Sequence, residues 1–266
     1  MKNINIPAYY YFENSNPKVT YEDGSEVIHK DGNEAINEIS NEIVVILNDN
    51  LGKKLIFKAR TITFDKVIYI APFPNPVHLL IFSSIENYNQ SVNVIKQFAH
   101  GNNIEGENIT VLEINENNTS HKYNDYVRLR ILSIITLVNS IEAFLNQIIP
   151  NEFKYKVEEN GNVKELDKKS IESTKVSFRD KLTKLIYQFK NIDRFETDNA
   201  PFVDSILDAY SVRKEIVHMK TNSENELELY FKTVSNILEI DIEKVIEDTI
   251  SYINNISPEF ISLENQ

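Results

Sequence analysis

The chain has 266 residues, 41% of them hydrophobic and 26% charged, which is enough for one large domain or two and too apolar for general disorder. A net charge of −12 argues against a protein that coats nucleic acid non-specifically, and the lack of cysteine excludes disulfides and a thiolate nucleophile. The acidity is uneven, since residues 121–220 carry 17 Lys and Arg against 15 Asp and Glu while the rest carries 11 against 25, so this segment can meet a polyanion locally.

The N-terminal stretch MKNINIPAYYYFENSNPK has the pattern of neither a secretion signal nor a transit peptide. The most apolar runs, VHLLIF and ILSIITLV, are shorter than the roughly 18–20 residues that cross a bilayer. The expectation is a cytoplasmic protein with no membrane partner.

In chain order, Ile36, Ile39, Ile43, Ile46 and Leu47 recur at helical spacing before Gly52, a C-cap candidate. KLIFKA and TITFDKVIYIA alternate and are rich in β-branched residues, which predicts two strands that pair. Pro72, Pro74 and Pro76 break the next region, a helix is predicted at about residues 84–99, and NITVLEI reads as a further strand. The Asn-rich run NENNTSHKYND separates two kinds of periodicity and places a domain boundary near residue 119.

Beyond that boundary the pattern is helical. A helix over 123–149 carries Val127, Ile131, Ile134, Val138, Ile141, Leu145 and Ile148 and stops at Pro150. A polar insert with a turn around Gly161 follows, and Ser177 with Asp180 three residues on starts a second helix running to Lys190. Pro201 is read as opening a third, which runs through Arg213 and His218. LELYFKTVSNIL and IEKVIEDTISYINNI, the latter capped by Asp241, complete five helices. The fold class is therefore α+β overall: a mixed recognition or regulatory domain over 1–118, then a helical bundle over 119–266.

Two features of the bundle carry chemistry. Asn139, Glu142 and Asn146 share one face of the long helix. Either that face meets the polar insert or water, or it lines a cleft opposite the Arg213 helix, where Glu142 would pair with the guanidinium. Arg213 and His218 in SVRKEIVHMK are the second feature. Arginine is always charged and histidine ordinarily titrates at about pH 6.5, so the pair offers charge stabilisation and proton transfer. Lys214 and Lys220 are candidate phosphate contacts. His29, His78, His100 and His121 form no zinc-binding pattern, and there is no phosphate-binding glycine loop or serine-hydrolase elbow, so no metal or cofactor is expected. Asp204 and Asp208 share a helix face, a spacing usually solvent-facing.

The stretches LVNSIEAFLNQII, SFRDKLTKLI and ILDAYSVRKEIVHMK, in that order, resemble the HEPN superfamily of helical-bundle proteins, whose signature is an Arg followed after four to six residues by a His. The resemblance covers about residues 120–255. It implies a homodimer that brings two Arg/His pairs together, metal-independent cleavage of RNA, and a role as toxin or antiviral defence effector. Arg213 and His218 would be the catalytic pair with Glu142 orienting the arginine, and Lys214, Lys220, Asn139 and Asn146 would contact RNA. The N-terminal region would then bind a protein inhibitor or trigger. Lys214 stands where active members commonly carry a small polar residue such as Asn. The alternative is a non-catalytic dimerisation and protein-interaction module of the same type.

Overall fold

The computed structural model describes residues 43–48, 54–72, 74–98, 102–103, 110–111, 119–159, 161–173, 175–191, 195–221, 223–258 and 260–261. They fall into two compact units that divide between Asn75 and Pro76.

The first unit holds an antiparallel sheet in the order β1 (Ile43–Asn48), β2 (Lys54–Phe64), β3 (Val67–Pro72). KLIFKA and TITF form one strand rather than two, and the hairpin turn falls inside the second predicted strand. Asp65 and Lys66 both take positive φ (46° and 63°), as a two-residue turn between paired strands requires. The predicted helix ending at Gly52 is corrected here: Ile43, Ile46 and Leu47 lie in a strand registered on Ala59, Ile56 and Leu55. IVVIL is a short apolar run that fits either period, and its β-branched residues gain more from pairing with β2. Ile36, Ile39 and Gly52 lie outside the described residues.

The second unit is mostly helical. Helix α1 (Pro76–Phe98) begins earlier than predicted, with Pro76 as its first residue, where a missing N–H costs no intrahelical bond. A two-residue ladder joins β4 (Asn102–Asn103) to β5 (Thr110–Val111), which is all that the described residues show of the NITVLEI strand. Helix α2 (Thr119–Ile148) pairs closely with α1, so the compact unit starts at Pro76 instead of at residue 119. At their contact the hydroxyls of buried Ser84 and Ser133 each donate to the other residue's backbone carbonyl, at 2.9 and 2.8 Å. Small side chains let the two helices come that near, and Val77, Ile81 and Ile85 of α1 join the buried apolar core of the helical unit.

After Pro150 the polar insert forms a hairpin of β6 (Tyr155–Glu159) and β7 (Asn162–Leu166), turning at Gly161 with φ +77°, and then the short helix α3 (Lys168–Glu172). Ser177 caps the next helix as expected: its hydroxyl accepts from the Asp180 N–H (3.0 Å) and donates to the Asp180 carboxylate (2.6 Å). That helix comprises α4 (Phe178–Asp180), a π-helical segment (Lys181–Leu185) and α5 (Ile186–Lys190), and ends at Asn191 in the left-handed conformation. Helix α6 (Phe195–Val217) holds Pro201 in its second turn, so the proline does not open it; the chain winds another turn and a half upstream at the loss of one hydrogen bond. Helix α7 (Glu224–Glu239) and helix α8 (Ile242–Ile256), the latter capped by Asp241, complete the unit.

α2 is the centre of this unit, in contact with α1, α6, α7 and α8. Its Leu137, Val138, Ile141, Phe144 and Leu145 join Ile206 of α6 and Ile246, Ile250 and Ile253 of α8 in one buried cluster. Among the described residues, α2 from His121 to Ile148 is the one helix long and apolar enough by composition to cross a membrane. Part of that stretch, including Ile134, Leu137, Val138, Ile141, Phe144 and Leu145, is buried in the core. His78 is a structural histidine, buried with its Nε2–H donated to the Phe260 carbonyl at 3.0 Å.

Candidate active site

α6 ends at Val217, one residue before His218. The His218 N–H is shared between the carbonyls of Lys214 (3.2 Å) and Glu215 (3.1 Å), and the Met219 N–H reaches back to Ile216 at 3.4 Å. The last turn thus tightens from α toward 3₁₀ geometry and leaves the His218 side chain exposed at the helix end.

This end of α6 and the facing surface of α7 enclose a groove of about 330 Å³. Ser211, Lys214 and His218 line it together with Glu215, and α7 contributes Leu229 and Thr233. Lys214 and His218 are one helical turn apart, which is why they meet in the same groove. The Lys214 ammonium also sits 5.3 Å from the centre of the Tyr210 ring, and Tyr210 stacks on Phe178 at 4.2 Å and 16°. Phe178 is buried directly after the Ser177 cap. A packed column thereby runs from that cap to the cation, and the ring face attracts the ammonium.

Arg213 is placed differently. Five residues of α-helix turn through about 140° beyond one full revolution, so Arg213 and a helical residue 218 would face different ways. Arg213 does not line the groove. Its Nε is fully enclosed and has no hydrogen-bond partner among the described residues, a costly state for a charged donor. The expected Glu142–Arg213 pair is not formed: Glu142 instead acts on Lys181. Burial pushes the Lys181 ammonium below the ordinary lysine value, and the carboxylates of Glu142 and Glu172 pull it partly back. Glu142 and Asn139 are half-buried and Asn146 is exposed, and none of the three lines the His218 groove. Lys220 is exposed just beyond the groove's lining residues. Asp204 and Asp208 are exposed, with Asp204 3.8 Å from Arg179.

The structure therefore brings together Lys214 and His218 from the predicted set and keeps Arg213, Glu142, Asn139 and Asn146 apart from them within one chain. Sequence reasoning missed Ser211, Glu215 and the α7 residues. Glu215 lies one turn from Ser211, and that i, i+4 relation was the available signal; the α7 wall has no local signature. Among the described residues no cluster of three or more His, Asp or Glu side chains is arranged to hold a metal ion. The sequence matches no family model and no curated protein, and the fold matches no solved structure.

Proposed function

We propose that this protein is a metal-independent endoribonuclease of the HEPN type, acting as a dimeric toxin or antiviral defence effector. The observation that carries the reading is the meeting of His218 and Lys214 in one open groove, an imidazole beside a fixed cation. His218 takes the proton from a ribose 2′-hydroxyl, the 2′-oxygen bonds to phosphorus, and the bond from phosphorus to the 5′-oxygen breaks. Lys214 stabilises the charge that gathers on the phosphoryl oxygens. The His218 of a second copy, as imidazolium, returns a proton to the leaving 5′-oxygen. The products are a 2′,3′-cyclic phosphate and a 5′-hydroxyl.

In this scheme Arg213, half-buried on another face of α6, acts at the dimer rather than within one chain. Exposed Leu79, Phe82 and Leu132 on α1 and α2 supply apolar surface for association. Lys220 meets the RNA backbone beyond the groove, and the N-terminal sheet unit binds the inhibitor or trigger.

A second reading, a non-catalytic dimerisation and interaction module, draws on α7, where Leu227, Leu229 and Phe231 are 41%, 53% and 61% exposed. Expression in a bacterial host separates the two. On the nuclease reading wild-type protein arrests growth, while His218→Ala and Lys214→Ala at equal abundance do not. Equal growth under wild type and both variants favours the interaction module.

A further inference from the structure

We infer that the groove selects a guanine nucleotide and that Glu215 is the residue that reads the base. This rests on the reading of the groove as an RNA site. Three chemistries meet there: the Lys214 ammonium with the His218 imidazole, the apolar side chains of Met219 and Leu229, and the single carboxylate of Glu215. The first suits a phosphate, the second the flat face of a base, and the third has no part in the cleavage steps.

The Glu215 carboxylate is half-buried and held in place across the two helices, because Asn236 of α7 donates its side-chain N–H to Glu215 Oε2 at 2.8 Å. A carboxylate is purely an acceptor and has about four lone-pair positions, of which this bond uses one. Fixed acceptors in a partly dry groove demand matching donors, since an unpaired buried polar group is costly. Guanine is the base whose Watson–Crick edge sets two donors side by side, N1–H and the N2 amino group, in the fork that fits two carboxylate oxygens. Adenine and cytosine each place a ring acceptor beside their amino group, which would face a carboxylate oxygen lone pair. Uracil flanks its single N–H with two carbonyls. A single-stranded RNA with an unstacked guanine presents that edge.

The test is a titration of the purified full chain, in chelator, with the 3′-monophosphates of guanosine, adenosine, cytidine and uridine, followed by calorimetry or by NMR shifts. The guanosine nucleotide is expected to bind about tenfold more tightly than the other three, the discrimination a good bidentate contact provides. Glu215→Gln, which replaces one acceptor by a donor, should erase that preference and leave the weaker binding shared by all four. Asn236→Ala, which frees the carboxylate without touching the base, should reduce the preference while leaving the far-UV spectrum unchanged. Lys214→Ala should weaken all four alike. Equal affinity for the four nucleotides, no binding of any, or a guanine preference that survives Glu215→Gln overturns the inference. Guanine-selective binding without RNA cleavage would retire the nuclease reading and leave the base-reading site standing, whereas cleavage without base preference would do the reverse.

Discussion

Arg130 of α2 holds the corner between α7 and α8. It is 7% exposed. Its Nε–H donates to the Ile237 carbonyl at 2.7 Å, and one terminal nitrogen donates to Leu238 at 3.2 Å and Ile240 at 2.6 Å. A helix leaves its last four carbonyls without internal partners, and those of Ile237 and Leu238 are two of them for α7. The guanidinium satisfies both and places a positive charge at the negative end of the helix dipole. The Ile240 carbonyl keeps a second partner, the Ile242 N–H at 3.0 Å, so Arg130→Met strands two acceptors and not three. Each stranded acceptor costs about 1–3 kcal/mol, offset by release of the buried charge from its desolvation penalty, so the expected loss is about 2–4 kcal/mol. Arg130→Lys should lose roughly half of that, because an ammonium lacks the planar fork that reaches several carbonyls at once. The chain has no tryptophan, so urea unfolding followed by far-UV circular dichroism is the suitable assay, with amide exchange in α7 as the local readout. Since α7 forms one wall of the groove, faster exchange there should accompany loss of activity. A loss below about 1 kcal/mol with unchanged α7 exchange would refute the claim that Arg130 fixes this corner.

Three further outcomes follow from the packing. Tyr252 is fully buried and donates its hydroxyl to the Leu182 carbonyl at 2.7 Å, so Tyr252→Phe should cost about 1–2 kcal/mol in denaturant unfolding; an unchanged midpoint would show that this bond does not anchor the π-helical segment. Ser177→Ala removes the cap below the Phe178–Tyr210 column and should cost about 1 kcal/mol and, on the proposed nuclease reading, measurably lower the rate of RNA cleavage as Lys214 loses its support; a fall in stability with no change in rate would separate the column from the site. Burial raises the Asp180 carboxyl, but hydrogen bonds from Lys184 and Ser177 outweigh it and hold the group below its ordinary value. A depressed folded value means stabilisation present above the unfolded carboxylate pKa of about 3.9 and lost as pH falls through the folded value. Asp180→Asn should therefore lower the melting temperature at pH 7 and flatten its decline below about pH 4; parallel melting profiles for the two proteins would contradict this.

Much of the helical unit was legible because its signals are local. The stripe from Ile134 to Leu145, the stop at Pro150, the Ser177 cap and the Asp241 cap each depend on residues within a turn or two of one another. β1 was not legible, since IVVIL fits two periods and only its pairing with β2, contributed by residues 54–59, decides between them. The boundary near 119 misplaced α1 for a related reason: its membership of the helical unit comes from packing against α2, which lies far along the chain, through Val77, Ile81 and Ile85 and the Ser84–Ser133 contact.

The candidate site divides in the same way. Lys214 and His218 stand one turn apart and could be read as neighbours from the sequence. Arg213 and His218 were grouped by a motif, although the helix itself sends them to different sides. Glu142 was assigned to Arg213 from face alone, without knowledge that Lys181 would lie within its reach. Glu215 acquires meaning only from Asn236, 21 residues on and in another helix.

The most direct test of the central claim is to incubate purified full-length protein with end-labelled single-stranded RNA in the presence of a chelator and to identify the termini produced. Wild type is expected to form fragments ending in 2′,3′-cyclic phosphate, and His218→Ala to form them about a hundredfold or more slowly. Intact RNA under wild type, or fragments that form equally well with His218→Ala, would contradict the claim.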